Sequence, residues 1–315
     1  MIELKDSDRK FINGFSDLDV SDGSSLRKKE LPNFDRFMTN EIGTKYIGNM
    51  LKDIDIRLYL VYLKMLENNI KFIDNFYADK SVCISGILHG YGVTKNVQVH
   101  VPTIKNGMDI MVTSHEVGHG IKSFTRVDNS RYLFFNTLFD ETISILFGRI
   151  CLERYINDFG FDICAEQFEV MNISNAISCL KKIKEILPDY MSKLEAKNKR
   201  IDFINKTKNN YDKKCEQLAF EVEKIEEELC KLISYPIGIS LANVYDNFDK
   251  KQKDEYLKLV SKFLLNIKQI DFEMILDYFD IPFDINLYKA NFSEYINKFS
   301  NKNNKVLVPR GVKKC

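Results

Sequence analysis

The chain has no tryptophan, and only six prolines and fourteen glycines are spread over its 315 residues. So few turn-forming residues argue against a turn-dense all-β fold and towards long helices. An excess of either charge is missing too: 46 Lys and Arg face 45 Asp and Glu, a net charge of +1. That balance creates no global field to draw the protein onto nucleic acid or an acidic membrane surface, so neither is expected as a partner. The N-terminus, MIELKDSDRKFINGF, is interrupted by charges of both signs and carries no apolar core of the secretory-signal kind. The most apolar helical stretch, Ile56–Leu66, is broken by Arg57 and Lys64 and is too short to span a bilayer. The seven cysteines (Cys83, Cys151, Cys164, Cys179, Cys215, Cys230 and Cys315) are odd in number, scattered, and include no C-x-x-C pair. This excludes a zinc ribbon and a disulfide framework, and it suits idle thiols in a reducing, cytoplasmic setting.

What is there is an ordinary globular composition, 44% hydrophobic and 29% charged, with length for one or two domains. Residues 1–33 are polar and turn-rich and read as a flexible arm; residues 34–299 read as a single domain. Residues 300–315 read as a disordered basic tail, in which LVPRG resembles a thrombin-cleavage linker. Apolar residues recur at helical spacing from Phe34 to about Asp79. The period then changes: Ser81–Leu88 and Asn96–Pro102 are short and Val/Ile-rich, with a Gly-rich turn, His89–Gly92, between them. These predict two strands of a small sheet. Helical periodicity resumes after Pro102, with one helix over 107–125, another over 131–159, long charged helices over 162–234, and four shorter ones from 238 to 299. Pro188 reads as a helix start or kink, and the long helices are read as ending at 234, with the next starting at about 238. The run Glu221–Glu228 is most simply a solvated helix face.

Histidine is scarce, and two of the four fall in one pentapeptide, His115-Glu116-Val117-Gly118-His119. A chain of this composition contains roughly 0.003 H-E-x-x-H matches by chance. On a helix the two imidazoles, four residues apart, project from one face about one turn apart and can share one metal. Core-type residues on both sides, Ile110, Met111, Val112, Ile121 and Phe124, supply the helical context. Two imidazoles leave a tetrahedral catalytic zinc one protein ligand short. A carboxylate on the next helix, Asp140 or Glu141, is placed to return after a turn near Val127–Ser130. Other ligand spacings fail, because position 138 is Leu and position 125 is Thr.

Phe139-x-Glu141-x-x-Ser144, following a H-E-x-G-H helix, resembles the thimet oligopeptidase and oligoendopeptidase F family of zinc peptidases. The strand–Gly-loop–strand before the motif is similar to that family's substrate-edge strand. Tyr235-Pro236-Ile237-Gly238-Ile239-Ser240-Leu241-Ala242 is similar to its Y-A-T-G-x-x-A-A segment. The resemblance spans roughly residues 70–290, the catalytic part of those larger enzymes. It implies a mainly α, zincin-type helical metallopeptidase with a small β-sheet before the H-E-x-x-H helix. His115, His119 and Glu141 would hold Zn²⁺, with Glu116 as general base and a peptide as substrate, cut by a metalloendopeptidase of the oligopeptidase kind.

One departure matters. The family places a His and extra tyrosines just before the Tyr-Gly segment, whereas Ile225–Ser234 contains neither. Tyr235 is the remaining candidate for the oxyanion donor, with Tyr245 able to substitute one helical stretch later. Tyr91 in the Gly loop and His100 on the second strand are candidate substrate contacts. Two other functions stay open: a dedicated processing protease for one partner peptide, and a non-catalytic peptide-binding module that retains zinc.

Overall fold

The computed structural model describes residues 6–16, 18, 38–74, 76–77, 98–125, 139–207, 213–265 and 272–304. Among the described residues the chain is mainly helical with one two-stranded sheet. In chain order the elements are α1 (Asp6–Ser16), α2 (Asn40–Ile54), α3 (Ile56–Asn68), β1 (Ile70–Ile73), β2 (Val99–Pro102) and α4 (Gly107–Thr125). There follow α5 (Asp140–Phe159), α6 (Ile163–Thr207), α7 (Lys213–Asn247), α8 (Lys250–Leu264), α9 (Phe272–Tyr278) and α10 (Ile285–Asn304).

Helix starts follow local side-chain chemistry. Thr39 caps α2 by accepting from the Ile42 N–H, and Asp55 caps α3 by accepting from Arg57 N–H. Asp249 and Gln252 form a reciprocal capping box on α8. At α4 the exchange is between Asn106, whose Oδ1 accepts from Asp109 N–H, and Asp109, whose Oδ2 accepts from Asn106 N–H. Tyr77 closes the corner with a 2.8 Å hydrogen bond to Asp109 Oδ1. Burial pushes the Asp109 carboxyl up, while the N–H groups of Lys105 and Asn106 and the Tyr77 hydroxyl pull it back.

Helix α4 is the centre of the molecule. Between Gly107 and Lys122 every residue is buried except Glu116 and His119. A helix apolar on nearly all sides must be walled in by neighbours, and here α5 lies along one side, with β2, α3 and α6 on others. Gly118 permits a close approach to the backbone of α5: a Cβ there would stand 2.9 Å from Ser144 Cα. Helices α6 and α7 pair along their length, and α7 also packs on α5 and α10. A buried ionic cluster ties four helices together: Arg149 (α5) makes a two-pronged bond to Asp246 (α7) at 2.9 and 2.6 Å. Arg149 also pairs with Glu169 (α6), which accepts from the Tyr295 hydroxyl (α10).

The structure departs from the sequence reading in four places. The strand pairing with β2 is Ile70–Ile73, parallel, with Ile70 opposite Val99. This four-residue stretch is too short to register against helical periodicity and draws its stability from a partner far along the chain. The strand read at Ser81–Leu88 lies outside the described residues. Asp6–Ser16, read as part of a flexible arm, is a helix with Phe11, Ile12 and Phe15 buried. Arg9 anchors it, donating to Tyr190 and pairing with Glu226 at 3.2 Å; Glu226 lies in the run read as a solvated face, yet it is buried. Pro188 and Pro236 sit inside α6 and α7 and end neither helix. Each removes one backbone hydrogen bond, and around Pro236 the burial of Ile233, Ile237, Ile239 and Leu241 holds the helix continuous. Among the described residues, no helix is long and apolar enough to cross a membrane.

Candidate metal centre

His115 and His119 project from α4 with ring centroids 5.0 Å apart. Glu141, in the first turn of α5, reaches between them: its Oε2 lies 3.4 Å from Nε2 of each histidine. One ligand atom from each of the three falls within 4.8 Å of the others. Glu141 Oε2 is buried and meets no hydrogen-bond criterion among the described residues, and this carboxylate oxygen and two ring nitrogens converge on one point. Burial opposes ionisation of Glu141, but the two imidazoles outweigh it and hold the carboxyl down to about 2. Nδ1 of His115 is also buried with no hydrogen-bond partner among the described residues.

Two glycines bring the three helices this close. Gly118, inside the motif, lets α4 lie against the backbone of Ile143 and Ser144, one turn after Glu141. Gly238 does the same for α7 against α5, where a Cβ would meet the backbone of Thr142 at 3.3 Å. Sequence reading met Gly118 as the Gly of the H-E-x-G-H pattern and Gly238 in a segment similarity. The structure shows both as contact points, a role that only the fold reveals.

Glu116 is one of the two residues of central α4 that retain access. Burial pushes its carboxyl up; the imidazoles pull it down and Glu141 pushes it further up, with a net rise. Tyr235 stands beside the cluster, its ring 6.3 Å from His115 and inclined by 29°. Burial, then the charge of Glu141, raises its hydroxyl well above the ordinary tyrosine value. Its hydroxyl accepts from Asn175 Nδ2 at 3.2 Å. Asn175 was missed in the sequence, where a lone asparagine in a charged helix carries no signal.

The remaining candidates are not brought to the cluster in the same way. Tyr245 is buried elsewhere, against Tyr256 and beneath Lys253, whose Nζ lies 4.8 Å from the ring centroid. Because α7 runs unbroken through Pro236, ten residues carry Tyr245 about 15 Å beyond Tyr235; it cannot substitute for Tyr235. His100 lies on β2 opposite Lys71, half-buried, with no partner for its buried Nδ1. Tyr91 lies outside the described residues, as does His89.

No family model, curated protein or solved structure matches this chain. The reading of the site therefore stands on its residues and their geometry.

Proposed function

We propose that this protein is a zinc-dependent metallopeptidase that hydrolyses peptide bonds in oligopeptides or unfolded segments. One observation carries the reading: Glu141 Oε2 sits 3.4 Å from both histidine nitrogens. Ligand atoms about 2.1 Å from a tetrahedral zinc lie about 3.4 Å from one another, so the two edges from Glu141 to the histidines have the length of such an ion's coordination edges, and all three donors lie within 4.8 Å of one another. Their chemistry fits as well, since two imidazoles and one carboxylate suit zinc and leave a coordination position open. Bound zinc supplies Lewis acidity, lowering the pKa of water towards neutrality and polarising a carbonyl.

The chain's own residues do the rest. Glu116 follows a ligand directly on the helix and keeps access in an otherwise buried element, the position required of a general base that takes a proton from water. The same carboxyl, once protonated, returns that proton to the leaving amine. Tyr235 is the donor for the developing oxyanion. The substrate strand is β2. Val99 and Thr103 direct their N–H groups to Asn69 and Ile73 of the β1 side. By alternation, the backbone N–H and C=O of His100 face the opposite edge, where an extended peptide can add as a strand. We place the activity in the cytoplasm, on the reading of cysteines that are odd in number, scattered and without a C-x-x-C pair.

The test is Glu116→Gln. The variant is expected to bind zinc like the parent and to lose cleavage of a quenched-fluorescent peptide by several orders of magnitude. Undiminished turnover in the variant would overturn the general-base assignment.

A further inference from the structure

We propose that Asn175 is a positioning residue: by donating its amide N–H to the Tyr235 hydroxyl, it turns the phenolic proton towards the metal centre. The inference rests on the peptidase reading for its catalytic consequence, but the hydrogen-bond direction is independent of that reading.

The geometry is specific. A phenol carries one proton and can accept at its oxygen. Asn175 Nδ2 lies 3.2 Å from that oxygen and is its hydrogen-bond partner among the described residues. With the acceptor side occupied by an N–H, the proton must point away from Asn175. The other groups around the phenol include those of the site: the ring of His115 at 6.3 Å from its own, and the carboxylates of Glu141 and Glu116, both close enough to act electrostatically on it.

Helix α6 is built to hold Asn175 there. Phe168, Asn175 and Cys179 are spaced seven and four residues apart, along one helical face. The Phe168 ring fills the space at Gly148, whose absent Cβ would also lie 3.5 Å from His115 Cβ. Cys179, one turn beyond Asn175, is within electrostatic reach of Glu141 and Tyr235. One face of α6 is therefore a wall of the metal centre, and Asn175 is its link to Tyr235. This also addresses the departure noted in the sequence. Where the resembling enzymes concentrate several donors before the Tyr-Gly segment, this chain has one tyrosine, oriented from a neighbouring helix.

The experiment uses the full chain labelled with ¹³Cζ-tyrosine, zinc-free and zinc-loaded, with the Tyr235 resonance assigned from Tyr235→Phe. Asn175→Asp has the same shape but offers no donor, so the phenol must turn and donate to it. The Tyr235 Cζ resonance is expected to move downfield in Asn175→Asp, and to a lesser extent in Asn175→Ala. A resonance that moves upfield in Asn175→Ala means that the phenol donates to residue 175 in the parent protein, and overturns the proposal. In zinc-loaded protein, Asn175→Asp is expected to lower kcat towards the level of Tyr235→Phe, by on the order of 10²-fold, with KM unchanged. In the Tyr235→Phe background the same substitution is expected to add no further loss; a full additional loss there overturns the proposal. If the parent protein cleaves no peptide, the peptidase reading fails, while the resonance positions still decide the orientation of Tyr235.

Discussion

Gly118→Ala is a demanding perturbation of the proposed metal centre, because it touches none of the three proposed ligands. The added Cβ would meet Ser144 Cα at 2.9 Å, where ordinary contacts begin at 3.4 Å. The obstacle is backbone, so α5 must retreat by about 0.5 Å. Glu141 lies one turn before Ser144 on the same rigid helix and retreats with it. Its Oε2 then stands about 3.9 Å from the histidine nitrogens, wider than the edge of about 3.4 Å that a tetrahedral zinc spans. Changes in groups that support a metal's ligands typically cost 10–100-fold in affinity, and a loss on the order of 10–100-fold is expected here. Stability of the zinc-free protein changes less. Alanine gains about 1 kcal/mol in a helix interior over glycine, against roughly 1–3 kcal/mol for overpacking. The assay is zinc affinity by chelator competition, alongside thermal unfolding of the zinc-free protein. Gly120→Ala is the control: its Cβ would meet only the side chains of Met65 and Val99, so it is expected to destabilise the fold while sparing affinity. Parental zinc affinity in Gly118→Ala would refute the claim that helix spacing sets the site.

Two further outcomes concern the scaffold. Arg149→Met leaves Glu169 buried and Asp246 part-buried without their cation; a loss of about 3 kcal/mol is expected by chemical denaturation, and parental stability would contradict the cluster's role. Asp55 gains a bidentate Arg57 partner and the Ser261 hydroxyl, and the Arg57 hydrogen bond in particular depresses its carboxyl below its ordinary value of 3.8. The stability it contributes is therefore fully present above pH 3.8 and fades as the pH falls below that value. The gap in stability between the parent and Asp55→Asn should accordingly be widest near neutrality and close in acid; a gap independent of pH would contradict the pairing.

The parts of the site legible in the sequence are those written in local spacing. His115 and His119 share a face because four residues make about one helical turn, and Gly107–Thr125 folds as the helix that the pattern predicts. A carboxylate returning from the next helix narrowed the third ligand to Asp140 or Glu141, and the resemblance to the peptidase family pointed to Glu141. The illegible parts depend on contacts between elements distant in the chain. Asn175 meets Tyr235 across sixty residues, and β1 pairs with a strand that begins 26 residues after β1 ends. The packing roles of Gly118 and Gly238 are equally invisible in one dimension. Helix α1 was missed because its apolar residues, Phe11, Ile12 and Phe15, are few and flanked by polar sequence. Tyr245 was placed wrongly because Pro236 reads locally as a helix boundary, and tertiary burial overrides it.

The most direct test combines metal analysis of the purified chain with mass spectrometry of the products from a mixed peptide pool. The account predicts one zinc per chain, lost in His119→Ala, and internal cleavage products that disappear with the metal and return when zinc is restored. A chain that neither holds zinc after reconstitution nor cuts any peptide in the pool would contradict it.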